Sequence, residues 1–159
     1  MSAIPIYRTA IAPAWIDYNG HVRDAYYGLM VSLATDSLMD RLGMDAAYRE
    51  RTRCTLYTLE MHMHFLREVK QTDTVEVAVR ILGWDQKRIH AAFELSTVPQ
   101  AQPAATAEVM LLHVRQDEST GAHPFAAAFS TALQALAAQT GAADATVPGS
   151  RRIELRGRK

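Results

Sequence analysis

The chain has 159 residues, one cysteine, and 17 Lys or Arg against 17 Asp or Glu. This length suits one domain and is too short for a TIM barrel or a two-domain dehydrogenase. A neutral charge balance gives no reason to expect nucleic acid as a partner, and no apolar run of about 20 residues predicts a membrane span. The N-terminus lacks a signal-peptide pattern, and the lone Cys54 fits a reducing compartment, so we expect a cytoplasmic protein.

The predicted elements begin with a short edge strand over residues 4–11 and a loop that is broken by Pro13 and Asn19-Gly20. A helix follows, with Asp24 as its candidate N-cap and Gly43 as its stop. Its first half is apolar almost all round, which is typical of a helix buried on every side.

A polar connection over residues 49–53 precedes a change of the apolar period to two. Alternation predicts half-buried strands over 57–65, 75–81 and 88–95, the last two joined by a hairpin at residues 84–87. After a loop around Pro99 and Pro103, the continuous apolar run at 107–114 favours a central strand.

A second helix is expected to start at His123-Pro124, with Pro in its first turn, and to end at Gly141. Residues 142–159 form a basic tail that we expect to be flexible, which leaves one domain over 1–141. This order predicts an α+β fold in which an antiparallel sheet of about five strands packs on one long helix, with a C-terminal helix added. The open sheet edge predicts a homodimer that joins two sheets.

The densest cluster of chemically capable residues precedes the long helix, where Asp17, Asn19 and His21 lead to Asp24. The free N–H groups of a first helical turn form an anion site, which would stabilise a carbonyl that becomes an oxyanion during hydrolysis. A nearby carboxylate could attack that carbonyl or activate water. The structural alternative is a turn made by Asp17 and Asn19, with positive φ at Gly20 and Asp24 as a helix cap.

The pattern Asp-x-x-Gly-His-Val before a Tyr-rich helix start resembles the hotdog-fold acyl-CoA thioesterases of the 4-hydroxybenzoyl-CoA thioesterase type. Four segments together resemble the betainyl-CoA thioesterases of carnitine degradation, including the thioesterase region fused to some carnitine dehydrogenases: 15–21, 57–60, 82–83 with 87–90, and 105–114. The resemblance covers roughly residues 4–140. It implies a hotdog fold and a cofactor-free hydrolase of a short acyl-CoA, working as a homodimer or a dimer of dimers.

The resemblance also implies site residues. Asp17 corresponds to the family's catalytic carboxylate, and the backbone oxyanion donor maps near Asp24. Glu60 either assists Asp17, balances a substrate cation or is simply solvated, and His21 either orients the reacting groups or packs on a neighbouring ring.

A trimethylammonium group would need aromatic faces. The candidates for substrate binding are the rings of Trp15, Tyr18, Tyr26 and Tyr27, each of which could equally be a core residue, and Lys87 and Arg88 for the CoA phosphates. Arg67 beside Lys70 is a second basic candidate.

Other chemistries have weaker support. Glu60, His62 and His64 share a strand face, as zinc ligands can, but we interpret them as a polar face and expect no metal. The sequence has no G-x-S-x-G, Walker or G-x-G-x-x-G motif, so serine hydrolases and nucleotide cofactors are not predicted.

Two alternative functions stay open. One is a hotdog hydratase that acts on an enoyl-CoA, which the four-residue spacing of Asp17 and His21 disfavours. The other is a non-catalytic acyl-CoA-binding module.

Overall fold

A computed structural model describes residues 3–140. The predicted stop at Gly141 and the basic tail at 142–159 lie outside these residues. The elements, in chain order, are β1 (Ile4–Ala10), a 3-10 turn (Pro13–Trp15), α1 (Asp24–Arg41), α2 (Ala46–Thr52), β2 (Cys54–Phe65), β3 (Thr74–Trp84), β4 (Arg88–Val98), β5 (Gln102–Arg115), β6 (Gly121–Ala122) and α3 (Ala127–Thr140). Within residues 3–140, no helix has the length and apolarity to cross a membrane.

The strands form one antiparallel sheet in the order β1-β3-β4-β5-β2, with the two-residue β6 paired to β5. The predicted α+β class, the strand number and the edge position of β1 are confirmed. Within residues 3–140, β2 pairs only with β5 and is therefore the second edge.

One face of the sheet carries the core. Val79, Phe93 and Ala107 lie in one row across three strands, and all three are buried. They share a cluster with Met30 and Leu38 of α1, which are fully buried. Because each such apolar side chain contributes about 1.5–3 kcal/mol when it leaves water, α1 is fixed firmly on this face.

The two ends of α1 are built differently from each other. At the C-terminal end Gly43 has a φ of 84°, and the N–H groups of Gly43 and Met44 donate to the carbonyls of Asp40 and Met39 at 3.1 and 2.8 Å. This is a Schellman motif, so the predicted stop is confirmed. At the N-terminal end the predicted cap is wrong: Arg23, in extended backbone, occupies the cap position, and Asp24 is the first helical residue.

Two further boundaries differ from the predictions. Residues 49–53, predicted as a polar connection, largely belong to α2, because the Asp45 carboxylate accepts the Tyr48 N–H at 2.8 Å and starts a helix. The last helix begins at Ala127 rather than at His123-Pro124. The N–H groups of His123 and Phe125 instead donate to His113 and Gln86 at 3.0 and 2.8 Å, which hold this segment in a non-helical form.

The loop predicted around Pro99 and Pro103 is shorter than expected, since β4 runs to Val98 and β5 already includes Pro103. The alternation predicted for β2 is also interrupted. The register with β5 shifts between Thr58 and Glu60, so Leu59 is an extra residue in a bulge. Four side chains that were expected to be half-buried on this strand are exposed in the single chain, from Tyr57, which precedes the bulge, to Leu59, Met61 and Phe65.

Candidate active site

The loop before α1 is a tight turn. Ile16 and Val22 form an antiparallel bridge, the Asp17 N–H donates to the His21 carbonyl at 2.9 Å, and the Gly20 N–H donates to the Asp17 carbonyl at 3.0 Å. Gly20 has a φ of 81°, which a glycine adopts without strain. The turn expected as the structural alternative is therefore present, with positive φ at Gly20.

The Asp17 carboxylate is held by this turn. Its Oδ1 accepts the Asn19 N–H at 2.8 Å and the His21 N–H at 3.4 Å, and the side chain is half-buried. Burial acts to raise the pKa of Asp17, but the hydrogen bonds from Asn19 and His21 and the charge of Arg23 outweigh it and lower the pKa below its ordinary value. The group is thus an ionised carboxylate in a fixed place near the helix start.

The entry into α1 is fixed by backbone bonds on both sides. The Val22 N–H donates to Val69 at 2.8 Å, and the Arg23 N–H donates to Trp15 at 2.9 Å. Arg23 gives no side-chain cap, and Asp24 uses its Oδ1 to accept the adjacent Ala25 N–H at 2.8 Å. The Asp24 N–H has no acceptor among residues 3–140. An uncapped first turn with a free N–H can hold an oxyanion.

A pocket of about 300 Å³ opens at this helix start. His21 and Glu68 meet at its rim, with the imidazole Nε2 3.0 Å from the Glu68 Oε2. Tyr27 and Phe65 meet edge to face, with ring centroids 5.2 Å apart. The lining residues are His21, Val22, Asp24, Tyr27, Phe65, Leu66, Arg67 and Glu68. The pocket thus combines carboxylates, an imidazole and aromatic rings.

The structure brings some of the predicted residues together and leaves others apart. His21, Asp24 and Tyr27 line the pocket, whereas Asp17 and Asn19 lie in the turn that leads to it. Trp15 and Tyr26 stack on each other, with ring centroids 5.4 Å apart and planes 17° apart. Tyr18 is 91 % exposed and contributes no ring to the pocket.

The remaining predicted residues lie on the sheet. Glu60 is exposed on β2 and pairs with His62, Oε1 to Nε2 3.0 Å. Lys87 and Arg88 lie at the β3–β4 turn, where Asp85 accepts both N–H groups and the Arg88 Nε, the last at 2.8 Å. Burial acts to raise the pKa of Asp85, but the bonds from Arg88 and Lys87 prevail and lower it. Residues 3–140 contain no group of three His, Cys, Asp or Glu side chains placed to hold a metal ion.

Sequence reasoning missed the end of β2 and the segment after it as part of the site, apart from Arg67. Phe65, Leu66 and Glu68 reach the helix start because the Val22 N–H bonds the Val69 carbonyl. No local pattern in residues 65–69 indicates this contact, which joins segments more than 40 residues apart. The one available signal was a polar Glu68 next to a break in the alternation.

Comparison with known families matches residues 11–141 to the thioesterase-like superfamily. The chain belongs to this superfamily. It is 44 % identical over 131 residues to the betainyl-CoA thioesterase of Pseudomonas aeruginosa, with 82 % of each chain covered. It is also 39 % identical over 100 residues to the L-carnitine dehydrogenase/betainyl-CoA thioesterase of Agrobacterium fabrum, of which it spans 20 %.

Solved structures agree with this assignment. A candidate thioesterase from Pseudomonas putida KT2440 superimposes with a TM-score of 0.80 at 40 % identity, over 99 % of each chain. A Staphylococcus aureus protein in complex with CoA gives a TM-score of 0.84 at 25 % identity, over 98 % of each chain. The resemblance to betainyl-CoA thioesterases, the hotdog fold and the thioesterase class predicted from the sequence are confirmed.

Proposed function

We propose that this chain hydrolyses betainyl-CoA to glycine betaine and free CoA, as a step in the breakdown of carnitine. The observation that carries the proposal is the 44 % identity to a betainyl-CoA thioesterase, which extends over 82 % of both chains. The site supports it, because a pocket of about 300 Å³ is at the small end of ligand pockets and suits a short acyl group.

The proposed chemistry uses groups that the chain itself supplies. The thioester carbonyl oxygen accepts the free Asp24 N–H at the start of α1, where the helix dipole favours the negative charge that develops. The ionised Asp17 then either attacks the carbonyl carbon, giving an anhydride that water hydrolyses, or removes a proton from an attacking water. In both routes the C–S bond breaks and the CoA sulfur leaves with the electron pair and takes up a proton.

The other predicted site residues have supporting roles in this proposal. His21 and Asn19 shape the turn that holds Asp17, through the His21 and Asn19 N–H groups. Glu60 assists Asp17 from β2, and Tyr27 supplies an aromatic face in the pocket. Trp15 and Tyr26 stack on each other, and the exposed Tyr18 has no part in this proposal. Positive charge for the CoA phosphates comes from Lys87, Arg88 and Arg67. Arg88 also donates a hydrogen bond to the Asp85 carboxylate.

Release of free thiol from a panel of short acyl-CoA thioesters tests the proposal. We expect betainyl-CoA to give the highest kcat/KM, above those of acetyl-CoA, isovaleryl-CoA and crotonyl-CoA. A chain that hydrates crotonyl-CoA would instead be a hotdog hydratase, and a chain that binds the thioesters without releasing thiol would be a binding module. Either result would reject the proposed function.

We also propose a homodimer joined along β2. Among residues 3–140 the outer side of this strand is unpaired, and Leu59 and Met61 on it are 55 % and 37 % exposed. An open edge with a row of apolar side chains is normally covered by another chain, and a twofold axis would pair β2 with itself. Light scattering should give twice the chain mass, and Leu59→Lys should shift the protein toward monomer. A wild-type monomer at micromolar concentration would contradict this.

A cytoplasmic location and a single domain over residues 1–141 complete the proposal. The location is supported by the free thiol of Cys54, which is buried and has no partner cysteine in the sequence. Fractionation of the native cells would test it, because recovery in a secreted or membrane fraction would contradict it.

A further inference from the structure

We infer that Glu68, with the rings of Phe65 and Tyr27, forms the subsite that selects a quaternary ammonium group next to the thioester. This inference rests on the proposed function, which it deepens by naming side chains that set the acyl specificity. Glu68 and Phe65 do not belong to the loop that resembles the family; the fold brings them to the pocket at the start of α1.

The size of the acyl group restricts where its cation can lie. In betainyl-CoA a single methylene group separates the carbonyl carbon from the nitrogen. When the carbonyl oxygen lies at the start of α1, the trimethylammonium group must therefore occupy the same pocket. The side chains that can contact it are those that line this pocket.

A cation in this place needs a negative partner, because the nearby N-terminus of α1 repels positive charge. The pocket lining supplies two carboxylates, Asp24 and Glu68, against one guanidinium, Arg67. Arg67 donates through Nη1 to the Gln102 Oε1 at 2.6 Å, which tethers it to β5. The Asp24 Oδ1 accepts the Ala25 N–H, so Glu68 is the carboxylate with more freedom to face a ligand.

The position of Glu68 suits this role. Its Oε2 is held 3.0 Å from the His21 Nε2, and its Oε1 has no hydrogen-bond partner among residues 3–140. A trimethylammonium group offers no N–H donor, so it is bound by charge and by aromatic faces. Phe65 and Tyr27 provide those faces in the same pocket, edge to face at 5.2 Å. His21 is then a positioning residue for the carboxylate.

A pair of substrates separates charge from shape. 3,3-Dimethylbutyryl-CoA is the carbon isostere of betainyl-CoA, with a quaternary carbon where betainyl-CoA has nitrogen. Glu68→Gln should lower kcat/KM for betainyl-CoA about three- to fivefold, the upper end for a charge contact at an exposed side chain, and leave the isostere unchanged. Glu50→Gln, which removes an exposed carboxylate on α2, is the matched control and should change neither substrate.

A second variant tests the aromatic part. Phe65→Leu keeps an apolar side chain but removes the ring, so kcat/KM for betainyl-CoA should fall roughly three- to thirtyfold while the isostere changes little. The inference is wrong if Glu68→Gln lowers both substrates equally, or lowers neither. Equal losses would mean that Glu68 supports the pocket without selecting charge.

Failure of the proposed function would be distinguishable from failure of the subsite. If the wild-type chain releases no thiol from betainyl-CoA, the function fails, and calorimetric binding of the two thioesters decides the subsite. The subsite then requires tighter binding of betainyl-CoA than of its isostere, and Glu68→Gln must remove that difference. Equal binding of the two thioesters by the wild type would overturn the inference.

Discussion

The two ends of α1 solve the same problem in opposite ways. Every helix leaves unpaired backbone groups at both ends. At the C-terminal end a Schellman motif with Gly43 pairs the carbonyls of Met39 and Asp40, and Met44 is fully buried against the core. At the N-terminal end Arg23 gives no side-chain cap, and the Asp24 N–H has no partner among residues 3–140.

The C-terminal end of α1 thus contributes to stability, whereas its N-terminal end keeps a hydrogen-bond donor available for the reaction. A Ser, Thr, Asn or Asp cap stabilises a helix by about 0.5–2 kcal/mol, and the chain forgoes that gain at Arg23. The missing cap keeps a donor available at the pocket that Asp24 and Glu68 line, at the end of the turn that holds Asp17. A local rule that a protein breaks in this way marks a functional position, and changes at the two ends should therefore have separable effects.

The largest effect is expected at the open end. Asp17→Asn should lower kcat for betainyl-CoA about 10²–10⁴-fold, because an amide is neither a base nor a nucleophile. The fold should survive, since the amide oxygen can still accept the N–H groups of Asn19 and His21. A thiol-release assay measures kcat, and thermal unfolding of the same sample measures the stability of the fold.

Asp45→Asn provides the matched control for that variant. Asp45 also accepts a backbone N–H, from Tyr48 at 2.8 Å, but it starts α2 and does not belong to the turn before α1. Asparagine is an equally good cap, so activity and stability should both stay near wild type. Full activity in Asp17→Asn would show that another group, such as the His21–Glu68 pair, activates water.

The second effect is expected at the closed end. Met44→Ala removes a fully buried side chain that follows Gly43 and anchors the motif. Such truncations cost about 2–5 kcal/mol of the free energy of unfolding, which urea titration would measure. The activity of the folded fraction should be unchanged. A specific loss of kcat with unchanged stability would mean that the two ends are coupled.

Much of this fold was readable from the sequence because its signals are local. Strict alternation located β3 and β4, and Gly43 after an apolar run located the end of α1. The Asp17 turn followed equally well from Asn19-Gly20. Each of these features depends on residues within a few positions of each other.

The missed α2 and the wrong cap at Asp24 are local errors, but the other errors depend on contacts that are distant in sequence. Leu59 bulges because of the register of β2 against β5, and residues 123–125 are held by bonds to His113 and Gln86. Glu68 reaches His21 across 47 positions through the bond between Val22 and Val69. No periodicity in a single sequence encodes such pairings.

A smaller effect on the free energy of unfolding is expected from backbone strain at the C-terminal end of α1. Gly43→Ala should destabilise the chain by about 1–2 kcal/mol, because φ is 84° there while no heavy atom lies within 4 Å of the added Cβ. Gly28→Ala is the matched control inside α1, where the Cβ also meets nothing within 4 Å. It should stabilise by about 0.5–1 kcal/mol. Two shifts of the same sign in thermal unfolding would contradict this account.

The smallest effect is a shift in pH dependence at the open end. Hydrogen bonds from Asn19 and His21 and the charge of Arg23 lower the pKa of Asp17 against the opposing effect of burial. A lowered pKa means that the ionised form is favoured by folding, so its stabilisation is complete above the unfolded pKa, about 3.9, and is lost as pH falls through the folded pKa.

The acid limb of kcat/KM should follow the same group, since kcat/KM reports the free enzyme. The midpoint of this acid limb should therefore lie at a lower pH than the ordinary pKa of an aspartate. Arg23→Gln removes one of the causes and should move the limb to higher pH, with activity at neutral pH nearly unchanged. Arg41→Gln, at the last residue of α1, should leave the limb in place. An acid limb that ignores Arg23 but disappears in Asp17→Asn would keep Asp17 as the base while rejecting Arg23 as a source of its low pKa.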